Sequence, residues 1–331
     1  MPHLDKSKNP KPKGFVTPQK ARHHAAILSN RIRTRFRHLS RKFKKQNIEC
    51  FRLYDWDIPE VRAVVDWYAG RVVVGEYERL QTGPEWLGQM AAGVGEALSI
   101  PPERIYIKRR HTNVKEGPRY ERMNARGERF EVNERDLRFW VNLDDFLDTG
   151  LYSDHRDTRV MIRKLSLGQN FLNLYAYTGA FTCAAATGGA KTTTTVDRSD
   201  TYLKWTQDNM QLNGLTGPQH MFIQSDVDQY LARAQGQGQR FTLAFVDPPS
   251  FFKSHNSNVS FDINEDHPKL IESVLKVMKP GSLVFFSTNH QRFEPCMDNL
   301  PARDLVEITS KTIPEDYRNP QIHRCWQMKA L

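Results

Sequence analysis

From residue 171 the chain reads Phe171-Leu-Asn-Leu-Tyr-Ala-Tyr-Thr-Gly-Ala-Phe-Thr182, and this stretch restricts the fold more than any other. Its first half is apolar and aromatic enough for a buried strand. Tyr177-Thr178-Gly179 then breaks the run, and Ala180 to Thr187 can start a helix. A strand entering a tight glycine turn at a helix N-terminus is the nucleotide-cradling unit of open α/β sheets. The same grammar continues downstream. Strand-like runs fall at 171–175, 192–196, 220–224, 242–246, 282–287, 304–311 and 323–329. Helical runs fall at 180–187, 199–212, 227–235, 265–278 and 295–301. Such alternation with short links predicts an α/β fold built on a doubly wound, largely parallel sheet. Ligands of these sheets bind beyond the carboxyl ends of the strands, so Tyr177 to Gly179, Asp197, Asp226 and Asp247 are expected in one crevice.

The chemistry of that crevice follows from its side chains. Asp197 ends the second strand about 20 residues beyond the glycine turn, where a carboxylate accepts hydrogen bonds from ribose hydroxyls. The plainer alternative is a cap for the helix that Ser199 begins. Asp226 ends the third strand, where it can accept from an adenine amine or cap the next helix. A dinucleotide site calls for three spaced glycines, and this turn has Gly179 alone. S-adenosylmethionine has no phosphate to cradle, and its sulfonium suits carboxylates. It is the expected cofactor, ahead of NAD or ATP. Asp247-Pro-Pro-Ser-Phe251 is the sharpest signal. Two prolines, Pro248 and Pro249, fix a turn. Asp247 and backbone carbonyls there can grip a flat heterocycle while Phe251 stacks on it, an arrangement suited to a nucleobase drawn out of its stack. An inert strand-end turn is the alternative.

Charge is unevenly placed. Residues 1–46 hold 14 Lys or Arg and one acid, net +13, against +10 for the whole chain, which leaves −3 for the rest. Residues 1–17 are polar and proline-bearing and are expected to be disordered. Thr17-Pro18 reads as a helix cap with proline at the first helical position. Ala25, Ile27, Leu28, Ile32, Phe36, Leu39 and Phe43 then keep a rough helical period. Arg31, Arg33, Arg35, Arg37, Arg41, Lys42, Lys44 and Lys45 fill most remaining positions. They read as RNA-phosphate contacts, with a solvated basic face as the alternative. Residues 47–145 look like a small α+β accessory domain, with Arg109 to Arg129 as an exposed loop or hairpin. The domain reading is thus 1–46, 47–145 and 146–331. Four cysteines (Cys50, Cys183, Cys296, Cys325) lie far apart with no paired spacing, which fits a reducing cytosol and argues against a zinc site. No metal is expected. No run approaches the roughly 20 apolar residues that span a bilayer, and no apolar core suggests a signal peptide.

Taken together, Asn173-Leu-Tyr-Ala-Tyr-Thr-Gly-Ala-Phe181, Thr195-Val-Asp-Arg-Ser199, Asn213-Gly-Leu215 and Asp247-Pro-Pro-Ser-Phe251 resemble the Rossmann-like, class I RNA methyltransferases. The likeness extends to Glu49-Cys-Phe-Arg-Leu-Tyr-Asp-Trp-Asp57, Leu147-Asp-Thr-Gly-Leu-Tyr-Ser-Asp-His-Arg156 and Arg318-Asn-Pro-Gln-Ile-His-Arg-Cys-Trp326. This combination is similar to the guanine-N7-methylating half of the bifunctional large-subunit (23S) rRNA methyltransferase. The THUMP domain and guanine-N2 half of the fused enzyme have no counterpart here, so a stand-alone form or an excised half is expected. The resemblance implies S-adenosylmethionine contacts at Asp154, His155, Arg156, Tyr175, Tyr177, Gly179, Asp197, Asp226 and Asp247, with base contacts at Asp247 to Phe251. It implies 23S rRNA or a large-subunit precursor as partner; the lack of a long apolar run gives no expectation of a membrane.

Guanine N7 carries a free lone pair and needs no base before attack, whereas guanine N2 must lose a proton. Related enzymes methylate cytosine C5, a poor nucleophile that requires a cysteine thiolate. The strand expected to supply it reads Leu283-Val-Phe-Phe-Ser-Thr-Asn289, without cysteine. A non-catalytic RNA-binding assembly factor is the rival from another class; the basic arm permits it, and the full set of crevice residues argues against it.

Overall fold

Thr17 opens the first helix as its sequence implies: its side chain accepts from Lys20 N at 3.3 Å in the computed structural model, which describes residues 14–77, 79–110, 127–253 and 260–331. The expectations for residues 1–13 and 111–126 lie outside the described residues. By its internal packing the chain divides into two units, Met1–Ala125 with Leu143–Leu147, and Arg126–Asn142 with Asp148–Leu331.

The first unit holds α1 (Pro18–Lys45), β1 (Cys50–Asp55), β2 (Ala63–Tyr68), β3 (Arg71–Tyr77), α2 (Trp86–Leu98) and β4 (Ile105–Arg110). Its sheet runs β1-β2-β3-β4, antiparallel except for the β3–β4 pair. Leu28, Ile32, Leu39 and Phe43 of α1 are buried at helical spacing and share one core with Leu53, Val65, Val74, Leu87 and Met90. Each such fully buried chain contributes about 1.5–3 kcal/mol. The two helices approach closely at Gly93, where an added Cβ would lie 2.8 Å from Ser29 Oγ. Ser29 donates to Gly93 O at 2.8 Å.

The second unit begins with a hairpin, β5 (Phe130–Glu134) and β6 (Leu137–Val141). It continues with α3 (Arg156–Leu165), β7 (Asn170–Leu174), α4 (Ala180–Thr187), β8 (Thr192–Asp197), α5 (Asp200–Leu212), β9 (His220–Gln224), α6 (Val227–Gly236) and β10 (Phe241–Val246). Then come β11 (Phe251–Lys253), β12 (Ser260–Asp262), α7 (Ile263–Leu275), β13 (Met278–Thr288), β14 (Ala302–Glu307) and β15 (Arg324–Ala330). The main sheet runs β14-β15-β13-β10-β7-β8-β9. The five strands β13, β10, β7, β8 and β9 are parallel, and β15 is antiparallel to both its neighbours. Alternation along the strands feeds two layers. Ala244 and Val246 pack with α6 and α7, while Leu243 and Phe245 pack with Ile162 of α3 and with Phe181 and Ala185 of α4. Chain order reverses about β7, since β8 and β9 lie on one side and β10 and β13 on the other. The switch-point crevice is therefore at the carboxyl ends of β7 and β10.

Two expectations differ. Residues 295–301 form turns and extended chain rather than a helix. Pro301 disfavours the helical region at Leu300, and Cys296 N is taken by His267 Nε2 at 2.9 Å. The β5–β6 hairpin, which falls inside the expected 47–145 accessory domain, groups with the second unit. Trp140 N donates to Asn209 Oδ1 at 2.9 Å, and Trp205 Nε1 donates to Trp140 O at 3.0 Å. Both partners lie on α5.

Candidate active site

The turn after β7 is bent by three residues in the left-handed region, Tyr175 (φ 54°), Tyr177 (φ 51°) and Gly179 (φ 73°). For the two tyrosines this conformation costs about 1–2 kcal/mol each. At Gly179 a side chain has no room, because an added Cβ would meet Thr206 Cγ2 at 2.2 Å. The strain is held by neighbours. Thr206 Oγ1 donates to Tyr177 O at 3.1 Å, and Asn209 Nδ2 donates to Thr178 O at 2.9 Å. The Leu147–Arg156 turn is fastened to the same loop: Thr178 Oγ1 donates to Gly150 O at 2.6 Å, and Gly150 N donates to Tyr177 Oη at 2.8 Å. Two sequence motifs read separately thus form one structure.

Asp197 stands at the end of β8 facing this turn. Its Oδ2 accepts from Tyr177 N and its Oδ1 from Ser199 N, both at 2.9 Å. Burial raises its pKa, and these backbone donors oppose the rise. Each oxygen keeps a lone pair for a further donor. The cap of α5 is Ser199, which accepts from Tyr202 N at 3.3 Å, so the capping alternative for Asp197 falls away. Asp226 occupies the cap position of α6, yet its side chain makes no capping bond and is exposed. Tyr175 sits among Asp226, Asp228 and Asp266; burial and these acids raise its hydroxyl pKa.

Asp247 ends β10, the strand beside β7. Ser287 Oγ of β13 donates to its Oδ1 at 2.5 Å. The carboxylate is 27% exposed, and burial pushes its pKa up to about 6 against the opposing Ser287 bond. Ser250 Oγ donates to Asn289 Oδ1 at 3.1 Å, so both ends of the Asp247–Ser250 turn are tied to the end of β13. Pro248 is buried and Pro249 half-buried, while Phe251 projects with 41% of its surface exposed.

The resemblance-derived residues separate. His323 Nδ1 meets Asp154 Oδ2 at 3.0 Å, and His155 Nε2 lies 3.7 Å from Asp247 Oδ2. The two imidazoles stack at 4.0 Å with planes 15° apart. Burial, then His323, lowers the His155 pKa well below the ordinary value, so its ring is neutral at physiological pH. Asp154, His155 and His323 are close enough to share one cation, but stacked rings direct their in-plane nitrogens along parallel planes rather than to one point. Arg156 lies in the interior. It is 2% exposed and paired with the fully buried Asp316. Ser287, Thr206 and Asn209 carry no sequence signal of their own, and His323 lies in the Arg318–Trp326 stretch of the resemblance without being singled out there; their places beside these turns emerge only in the fold.

In the first unit, the basic residues of α1 divide by role. Arg31 Nε pairs with Asp57 Oδ2 at 2.7 Å, and Arg35 Nε donates to Leu53 O at 2.9 Å. Arg33, Arg37, Arg41, Lys42, Lys44 and Lys45 are exposed. Thr34, Arg37, His38, Arg41, Lys42 and Lys45 line a shallow groove along one helix face.

A family of S-adenosylmethionine-dependent methyltransferases matches residues 55–321. The ribosomal RNA large subunit methyltransferase K of Neisseria meningitidis serogroup B is 39% identical over 309 residues, covering 91% of this chain and 86% of that protein. The ribosomal RNA large subunit methyltransferase K/L of Syntrophotalea carbinolica is 42% identical over 322 residues, covering 95% of this chain; the chain spans 45% of that longer relative. Among solved structures, a methyltransferase complexed with S-adenosylhomocysteine matches with a TM-score of 0.69 at 23% identity, over 91% of this chain and 81% of that one. A Streptococcus mutans S-adenosylmethionine-dependent methyltransferase matches with a TM-score of 0.71 at 21% identity, over 92% and 81%. These two likenesses are of fold. No helix among the described residues is long and apolar enough to cross a membrane.

Proposed function

Because this chain belongs to the S-adenosylmethionine-dependent methyltransferase family, we propose that it methylates a guanine of large-subunit (23S) rRNA at N7, in the cytoplasm, on the rRNA or a subunit precursor. The observation that carries this reading is the adjacency of the strained 175–179 turn and the Asp247-Pro-Pro turn on neighbouring strands β7 and β10. The residues fit the cofactor. Asp197 has oriented oxygens and spare lone pairs for the ribose. Asp226, which is exposed and makes no capping bond, accepts from the adenine amine in this reading. Tyr175, Tyr177 and Gly179 shape the wall between them, and Asp154 and His155 close it through the His323 network. Bound S-adenosylmethionine supplies a methyl group on a cationic sulfur.

Asp247, ionised at neutral pH, accepts from the N1–H and N2–H donors of guanine, while Pro248 and Pro249 fix the turn and Phe251 stacks on the ring. These residues would hold the base so that the N7 lone pair faces the methyl group that the cofactor would supply. No proton need leave before attack, so the chain contributes position and electrostatics. A thiolate route to cytosine C5 lacks support. Cys325 lies across the ladder from Ser287, and Cys183 lies in α4; both are fully buried, and burial raises both thiol pKa values, Cys183 to about 12. One observation favours a second reading, guanine N2: a carboxyl raised to about 6 is a competent proton acceptor. The exposed cations of α1 supply phosphate contacts.

The test is methyl transfer from labelled S-adenosylmethionine to large-subunit rRNA, with nucleoside analysis of the product. Labelled 7-methylguanosine is expected. Labelled N2-methylguanosine would move the chemistry to Asp247 as base, and no label on rRNA or on precursor subunits would overturn the enzyme reading for RNA.

A further inference from the structure

At one end of the β1-β2-β3 sheet of the first unit, three side chains converge in solvent. Trp56 follows β1, Arg62 precedes β2, and Tyr77 ends β3. The Trp56 and Tyr77 rings meet edge to face at 6.2 Å and 87°, and the Arg62 guanidinium lies 5.8 Å from the Trp56 ring centroid. Trp56 is 45% exposed and Tyr77 43%.

Trp56 also carries backbone strain, with φ at 54°. A bulky residue in the left-handed region costs about 1–2 kcal/mol, and packing returns little to a ring this exposed. The loop that holds it is nonetheless rigidly built. The buried Tyr54 hydroxyl accepts from Ile58 N at 3.1 Å and donates to Val61 O at 2.9 Å. Trp56 N donates to Ala63 O at 3.3 Å, and Asp57 is pinned by Arg31 of α1. Arg31 is one helical turn ahead of Thr34, where the basic groove of α1 begins. A strained, pre-organised indole therefore stands at the end of a cationic track. Strain of this kind, maintained at an exposed aromatic, points to function rather than stability.

We propose that Trp56, Tyr77 and Arg62 form a stacking platform for an unpaired base of the RNA substrate. The proposal rests on the RNA-methylating reading and extends it to a single-stranded segment other than the methylated base. Phosphates of that segment run along Arg37, Arg41 and Lys45, and one of its bases stacks on Trp56, with Arg62 adding a cation–π contact. Stacking needs only the π-face of a base and is tolerant of sequence.

The experiment compares two labelled probes on the full chain: an oligouridylate of roughly a dozen nucleotides, and an abasic strand of equal length and charge. Wild-type protein is expected to prefer the base-bearing strand. Trp56→Ala should weaken that binding about tenfold, remove the preference, and leave abasic binding and the salt dependence unchanged. Trp56→Phe should retain the preference. S-adenosylhomocysteine affinity, read by calorimetry on each preparation, should not move, which also shows that the variants fold. Trp56→Ala with an undiminished preference overturns the platform and leaves the methyltransferase reading intact. Wild-type protein that binds S-adenosylhomocysteine but neither strand overturns the RNA reading, and the platform with it.

Discussion

Asp247 is held in an unfavourable state. Burial raises its pKa from 3.8 to about 6, so the folded protein binds a proton more readily than the unfolded chain between these values. Its contribution to stability therefore falls as pH rises from about 4 to about 6 and stays low above that. Asp247→Asn should raise stability at neutral pH by about 1–2 kcal/mol, or roughly 2–8 °C in Tm, and flatten that part of the profile. Methyl transfer should be lost. Thermal unfolding across pH checks the first outcome, and an unchanged or lowered Tm at pH 7 would remove the carboxylate strain from the account. Ser287→Ala deletes the donor that favours the ionised form, so the acid limb of the pH–rate profile should shift upward by about one unit. kcat should fall about tenfold with little change in KM for S-adenosylmethionine, and Ser287→Thr should restore much of it. Asp247 is exposed by sequence alone because strand, prolines and aromatic are contiguous. Ser287 is not, because a serine within an apolar strand looks like filler until its neighbour strand is known. His323 is hidden in the same way, since its partner Asp154 is 169 residues away.

At the scale of elements, the glycine turn is legible in the sequence and α1 only half so. Gly179→Ala places a side chain at φ 73° against Thr206; it should destabilise the second unit by about 1–3 kcal/mol and abolish S-adenosylhomocysteine binding, as calorimetry would show. In α1 the apolar stripe and cap are evident from residue order, but every cation looks alike. The structure separates them, because Arg31 and Arg35 are committed to Asp57 and Leu53 O. Replacing Arg37, Arg41 and Lys45 by alanine should weaken RNA binding and reduce the salt slope by about 0.7 for each phosphate left unneutralised on a single strand. Arg31→Ala should leave that slope nearly unaltered and lower the stability of the first unit by about 1–3 kcal/mol. Equal salt slopes for the two variants would refute the division. Removing the whole helix is not a clean test of charge, since Leu28, Ile32 and Phe43 belong to the core.

At the scale of the whole molecule, residue order suggests a boundary after residue 145, between the accessory domain and the stretch that opens with Leu147–Arg156. The folded chain places residues 126–142 with the second unit instead. No local pattern marks this, because the ties are long-range. Glu134 forms a buried two-pronged ion pair with Arg159 at 2.7 and 2.6 Å, and Asn213 Nδ2 donates to Arg138 O at 2.7 Å. A fragment of residues 146–331 would keep Arg159 and lose Glu134, leaving a guanidinium that is otherwise 3% exposed without its carboxylate. Such a loss costs about 3–5 kcal/mol. Fragment 126–331 retains the pair. It should therefore unfold roughly 6–20 °C above fragment 146–331 when both are heated with S-adenosylhomocysteine, and Glu134→Gln in the full chain should reproduce part of the deficit. The same hairpin buttresses α5 through Asn209, which in turn holds Thr178 O. The shorter fragment should accordingly bind S-adenosylhomocysteine more weakly even below its melting temperature, linking a distant strand pair to the strain in the 175–179 turn.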